Sequence, residues 1–277
     1  MSPGARPAGV LSVLVNNLDG VFQRSVLQGA GEATAARGLS LAVRPLAGLS
    51  VRALRELVAE VTRRSAGVLV LANALPDAEL ATLAASGVPV TLVSHHAPEL
   101  ALPSVMFDNA QGVALLTKHV VVERARRSLV FVGGDPAQLD AREREAAFRD
   151  EAVRHGLDLP ADYYLRGDFT PTMARDSLTR FLARGGACDA VVAADYLMAI
   201  AAVSALRAAG RSVPADVAVV GFGDGPEAEA AGVTTVAADV VELGRRAVRQ
   251  LAAQLTGRRL SGRTLLSTHL VPRDTSE

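Results

Sequence analysis

The sequence predicts an α/β protein made of two lobes, each a doubly wound parallel sheet, and three observations carry that expectation. Short β-branched runs alternate with longer stretches of helical periodicity, the signature of repeated βαβ units. The alternation starts afresh near Leu129, and two such series suit two lobes better than one very wide sheet. The chain has 277 residues, 49% of them hydrophobic and 21% charged, enough for roughly two domains with cores of their own.

In the first series, Val10 to Val15 reads as a strand and Phe22 to Arg37 as a helix ended by Gly38. Leu39 to Arg44 is a second strand. Val51 to Arg64 places Leu54, Leu57, Val58 and Val61 at the three-and-four spacing of an amphipathic helix. Val68 to Leu71 is apolar on both faces, as a strand covered by helices on each side must be. Pro76 to Ser86 continues as a helix, Val88 to Val93 and Ser104 to Phe107 as strands, and Ala110 to Val122 as a helix. The second series has strands at Leu129–Val132, Tyr163–Arg166, Ala190–Ala193 and Val217–Gly221. Its helices are Ala141–His155, Thr172–Arg184 and Leu197–Ala209. Val240 to Thr256 is the last long helix, followed by a strand near Thr264 to Leu270. No Pro/Gly/Ser-rich linker divides the series, so the join near residues 120–125 reads as a tight hinge with a cleft between the lobes. The carboxyl ends of parallel strands are where such folds hold ligands.

Composition excludes several classes. Lys+Arg and Asp+Glu both total 29, so no global charge draws the chain to nucleic acid. Any DNA contact must come from a local patch or from sequence outside this chain. Cys188 is alone and forms neither an intramolecular disulfide nor a thiolate metal cluster. The N-terminus lacks the apolar stretch of a secretory leader, and no run approaches the ~20 residues of a membrane helix. The expectation is a soluble cytoplasmic protein with no membrane partner.

The candidate chemistry is sparse. Gly221-Phe222-Gly223-Asp224-Gly225 lacks the later glycine of a dinucleotide fingerprint and reads as a strand-to-loop turn. His95-His96, His119 and His155 have no neighbours that complete a metal-ligand set. No Gly-x-Ser-x-Gly elbow exists, and Cys188 reads as a small core residue. Asp140, Glu143 and Glu145 alternate with Arg142, Arg144 and Arg149 as on a solvated, ion-paired helix face. Arg124, Arg126 and Arg127 form a solvated loop cluster. No catalytic residue, metal site or cofactor site emerges.

Several segments recur in a recognisable order. They are Val105-Met106-Phe107-Asp108-Asn109-Ala110-Gln111-Gly112; His119 to Gly134 with Arg126-Arg127 and Phe131-Val132-Gly133-Gly134; Arg144-Glu145-Ala146-Ala147-Phe148; and Gly167-Asp168-Phe169-Thr170. Val213-Pro214-Ala215-Asp216-Val217-Ala218-Val219-Val220-Gly221-Phe222 follows, then Thr234-Thr235-Val236 and Glu242-Leu243-Gly244-Arg245-Arg246-Ala247. From about residue 10 to 273 this ordered set resembles the effector-binding core of the LacI/GalR family of bacterial transcriptional regulators.

The resemblance implies a two-lobe periplasmic-binding-protein-like fold whose chain makes three hinge crossovers. Residues 8–122 plus 237–262 would form the N-terminal lobe, and 123–236 plus 263–274 the C-terminal lobe. The helix Val240–Thr256 would return to the first lobe and the final strand to the second. It further implies a small-molecule effector, sugar or non-sugar metabolite, and signalling by cleft closure in a homodimer. DNA would be reached only through a headpiece that this chain does not contain. A ligand-sensing module of a signalling fusion, or a solute-binding protein, is the alternative; an enzyme on this fold is disfavoured because no base–nucleophile pair is apparent.

For the ligand site, Arg144 occupies the position of the family's sugar-contacting arginine, the alternative being an ion pair with Glu143 or Asp140. Phe22 and Phe169 correspond to aromatics that line the two lobes, and a core role is equally open for each. Asp195-Tyr196 stands where the family has Asn-Asp, and Phe222-Gly223-Asp224 where it has Phe-Asp-Asp. Asp195, Tyr196 and Asp224 complete the candidate set. With fewer hydroxyl-binding groups than the family pattern, the expected ligand is not a standard hexose and is more apolar, aromatic or cationic.

Overall fold

In the computed structural model, residues 9–277 are described. The N-terminal stretch on which the leader expectation rests, and the expected lobe start at residue 8, lie outside them. The chain divides into two compact units, one of residues up to Phe107 plus Asp239–Leu266, the other Asp108–Ala238 plus Ser267–Glu277.

The first unit begins with β1 (Val10–Val15), α1 (Val21–Ala35), β2 (Ser40–Pro45), α2 (Val51–Arg64), β3 (Gly67–Leu71), α3 (Asp77–Ala85), β4 (Val90–Val93) and β5 (Pro103–Phe107). The second unit follows with α4 (Asn109–Lys118), β6 (Leu129–Gly133), α5 (Leu139–Arg154), β7 (Tyr164–Arg166), α6 (Pro171–Ala183) and β8 (Ala190–Ala193). It continues with α7 (Tyr196–Ala208), β9 (Ala218–Phe222), α8 (Pro226–Ala230) and β10 (Thr234–Ala237). The chain re-enters the first unit for α9 (Val240–Leu255) and β11 (Gly262–Leu266), then ends in the second with β12 (His269–Val271).

Each unit is built on a six-stranded sheet, ordered β11-β5-β4-β3-β1-β2 in the first and β12-β10-β9-β8-β6-β7 in the second. The strand pairs are parallel except β10–β12, which is antiparallel. The alternation of strand and helix dictates this, since each crossover returns a helix to one face of the sheet. β3, β5, β6 and β9 are buried along their whole length, as their unbroken apolar runs require.

In the first unit, α2 opens at Ser50, whose hydroxyl accepts the Ala53 N–H at 3.2 Å. It buries Val58 and Val61 in a cluster with Val68, Val70, Leu80, Leu83 and Leu92. Helices α1 and α9 approach closely enough that a methyl on Gly29 would strike the Val241 carbonyl, and one on Gly244 the Val26 carbonyl. In the second unit, Phe131 stacks on Phe148 with centroids 4.8 Å apart, and Tyr164 meets the edge of Phe148.

The unit boundaries differ from those expected. The first unit ends at Phe107, not near residue 122, because α4 packs on α5, β9, β10 and β12. The expected helix to Val122 is α-helical only to Lys118 and continues as a π turn, with the Arg124 N–H bonded to the His119 carbonyl at 3.1 Å. The single expected final strand is two: β11 extends the first sheet beside β5, and β12 the second beside β10. β10 was not among the expected strands; its Thr234-Thr235-Val236 is buried between β9 and β12. Among the described residues no helix is long and apolar enough to cross a membrane.

Candidate functional site

Helix α5 turns Ala141, Arg144, Phe148, Glu151 and Ala152 to the interior of the second unit, so its buried face carries an arginine. Arg144 is 8% exposed. Its guanidinium carbon lies 3.7 Å from the centroid of the Phe222 ring, at the carboxyl end of β9, and 5.9 Å from that of Phe169. Nε donates to Asn109 Oδ1 and Nη1 to the Ala194 carbonyl at the end of β8, both at 2.8 Å. Nη2 stands 4.0 Å from Asp140 Oδ2, outside hydrogen-bond range. Burial pulls the guanidinium's pKa down, and the charges of Asp140, Asp195 and Glu143 oppose it. The helix face is therefore not simply solvated, as expected: Arg149 and Glu145 do pair on the outside, while Arg144 is drawn inward.

Phe169 follows Asp168, and both occupy the left-handed region, with φ of 55° and 51°. The Asp168 carboxylate accepts from Arg166 Nε at 2.7 and 2.8 Å, which holds this turn, and the Phe169 ring comes to rest against the Gly134 backbone.

Asp195 caps α7, its Oδ1 accepting from the N–H groups of Leu197 and Met198 at 2.8 and 3.3 Å. Burial raises its pKa, against the pull of these N–H groups and of Arg144. Tyr196 is 7% exposed and lies along the Gly221-Phe222-Gly223 turn. Gly223 has φ of 83° and a Cβ there would stand 3.4 Å from the Tyr196 ring, so the run's glycines serve this close packing. Burial and then the neighbouring Glu227, whose carboxylate accepts the phenol's hydrogen bond at 3.3 Å, push the Tyr196 pKa up to about 12.

Asp224 is committed elsewhere. Its two oxygens accept from Arg273 Nη1 and Nη2 at 2.9 Å each, and Oδ1 also accepts from the Thr235 hydroxyl at 2.9 Å. Burial raises its pKa, but the bonds from Arg273 and Thr235 outweigh that and hold it below the usual carboxylate value. The structure thus brings Arg144 and Phe169 together, with Asp195 and Tyr196 beside them, and leaves Asp224 as an anchor for Arg273. Phe22 lies in the first unit, half-buried in the first turn of α1.

Sequence reasoning missed Asn109, which is 2% exposed and joins Arg144 to Asp140 and Glu143. It stood in the quoted Asp108-Asn109 pair, but 35 residues separate it from Arg144, and no local periodicity links them. Also missed was a buried chain at the tail: His119 Nε2 is 2.8 Å from Ser276 Oγ and Nδ1 is 2.7 Å from Glu123. Nucleophile, base and acid follow in catalytic order. Yet Ser276 is 2% exposed and shares its hydroxyl with Thr234 at 2.7 Å, so the chain pins the tail against β10. Arg126 reaches the Pro214 carbonyl at 2.6 Å and so holds a loop in place rather than simply facing solvent. Among the described residues no group of His, Cys, Asp and Glu could hold a metal ion.

Residues 118–276, more than half of the chain, match the family model described as periplasmic binding protein-like domain. The HTH-type transcriptional regulator CelR of Thermobifida fusca is 32% identical over 213 residues, covering 75% of this chain and 62% of that protein. The chain spans about three fifths of the length of the first curated relatives it matches. A solved complex of transcriptional regulator CelR with cellobiose superposes with a TM-score of 0.88 at 29% identity, over 99% of this chain and 86% of that one. The lac repressor dimer bound to operator and anti-inducer shares the fold, with a TM-score of 0.87 at 22% identity over 96% and 93% of the two chains. The chain belongs to the periplasmic binding protein-like domain family, and its homologues are LacI-family transcriptional regulators.

Proposed function

We propose that this chain is the effector-binding domain of a cytoplasmic transcriptional regulator, and that it binds a small neutral, hydroxyl-bearing solute without transforming it. The ligand sits at the carboxyl edge of the second unit's sheet, against Arg144 and Phe169, with Asp195 and Tyr196 shaping the wall. The carrying observation is the buried Arg144, stacked on Phe222 with Nη2 outside hydrogen-bond range of its nearest acid. A buried cation with donors to spare is retained at a cost unless something uses it. The cellobiose bound by the CelR complex, at 29% identity over nearly the whole chain, supports a saccharide in place of the more apolar, aromatic or cationic ligand expected from the departures from the family pattern. The HTH-type names of the relatives support DNA contact through a helix-turn-helix segment outside these residues, and the lac repressor dimer supports a homodimer. Binding then shifts the balance between two conformations in proportion to its differential affinity for them.

Thermal unfolding across cellobiose, other neutral saccharides, nucleosides, amino acids and aromatic acids tests this. A ligand at one hundred times its Kd stabilises the native form by about 2.7 kcal/mol. The expected result is a rise with a neutral saccharide, abolished in Arg144→Ala, with the ligand recovered unchanged. Stabilisation only by apolar or cationic compounds, or saccharide binding indifferent to Arg144→Ala, would refute it.

A further inference from the structure

Asn109 opens α4, one residue after Asp108, whose carboxylate caps the helix by accepting the Gln111 N–H at 2.9 Å. Its own amide is wholly engaged. Nδ2 donates to Asp140 Oδ1 and to Glu143 Oε2, each at 2.8 Å, while Oδ1 accepts from Arg144 Nε at 2.8 Å. Only one orientation of the amide works here. Ionised carboxylates can only accept and a guanidinium can only donate, so a flipped amide would set oxygen against two carboxylates and N–H against N–H. The two acids therefore orient Asn109, and Asn109 orients Arg144.

This has a chemical consequence for what Arg144 can hold. Side-on docking of a carboxylate needs Nε and a terminal nitrogen to point at it in parallel. Nε is closed by Asn109 and Nη1 already serves the Ala194 carbonyl. Nη2 and the second hydrogen of Nη1 are left, with Asp140 4.0 Å from Nη2. Around the one guanidinium stand the carboxylates of Asp140 and Glu143, both bonded to Asn109. That surplus of negative charge repels an anion and tolerates a neutral oxygen.

We propose that Asn109 is a positioning residue that fixes Arg144 with its Nε edge shut, so that the site accepts a neutral oxygen ligand and rejects a carboxylate. The ligand half of this proposal rests on the function proposed above; the positioning half does not. Two measurements separate them. The first follows the Arg144 Nε–H by 15N NMR without ligand, assigned by its loss in Arg144→Lys. A slowly exchanging signal is expected in the wild type, with exchange at least tenfold faster in Asn109→Ala. If that variant does not fold, the double variant Asp140→Ala/Glu143→Ala, which removes the acids that orient the amide, is expected to show the same acceleration. The second is calorimetry with cellobiose and with cellobionate, its oxidised, carboxylate-bearing counterpart. The wild type should prefer cellobiose, and the preference should shrink at least tenfold in Asn109→Ala. An Nε–H signal that exchanges equally slowly in the variants overturns the proposal whatever the sugars do, as does an unchanged preference. A wild type blind to both sugars, with the Nε–H accelerated in the variants, overturns the saccharide reading alone and leaves the positioning role standing.

Discussion

At the carboxyl edge of the second sheet, Asp224 gives both oxygens to Arg273, and their stability effect has a definite pH sign. Its folded pKa lies below the ordinary 3.8, so its contribution is complete above that pH and is lost as pH falls through the folded value. Asp195 does the opposite. Its pKa is raised, so the native state binds a proton that the unfolded chain has released, and stability declines as pH rises from 3.8 through the folded value. Denaturant midpoints measured from about pH 3 to 7 should show both limbs. Asp224→Asn is expected to flatten the acid limb. Asp195→Asn keeps the cap on α7 and should flatten the other. Arg273→Ala is expected to cost about 2 kcal/mol, less than a fully buried pair because both partners are partly exposed. Ser276→Ala should cost about 1–2 kcal/mol by leaving His119 and Thr234 short of a partner in the interior.

Helices and strands repeat the same contrast between what is local and what is not. The three-and-four spacing of Leu54, Leu57, Val58 and Val61 is a local pattern, and α2 buries Val58 and Val61 accordingly. The close approach of α1 to α9 is not local, since Gly29 and Gly244 are more than two hundred residues apart in the chain. Gly244→Val should therefore destabilise the first unit by about 2–3 kcal/mol through overpacking, read as a lower denaturant midpoint with an unchanged slope. A matched substitution at the half-buried Gly31, where an added carbon meets nothing within 4 Å, should cost no more than about 1 kcal/mol. The π turn at His119–Glu123 escaped a reading by periodicity because the residues remain apolar. Nor does periodicity show the double hydrogen bonding of His119, whose second partner lies 157 residues on.

For the molecule as a whole, two α/β units joined by three passages of chain were legible from the restart of the alternation and from the resemblance. The points of passage were not. Residues 108–118 have helical periodicity that suits either unit, and it is the Asn109 side chain, bonded to Asp140, Glu143 and Arg144, that ties them to the second. Effector binding and assembly are tested at this scale. Sedimentation of the 277-residue chain is expected to give a homodimer, and a neutral saccharide is expected to raise the melting temperature.

Composition, periodicity and ordered motifs by themselves determined the fold class, the strands other than β10 and the divided final pair, and the family resemblance, because each depends on residues adjacent in the chain or repeating at short intervals. The availability of the candidate ligand residues was decided by tertiary structure alone. Arg144 is turned inward by Asn109, Asp224 is occupied by Arg273, and Tyr196 is pressed onto a turn that only glycines permit. Whether a polar group is spent or free depends on partners tens of residues distant, and hydrogen bonding is satisfied in space rather than along the sequence.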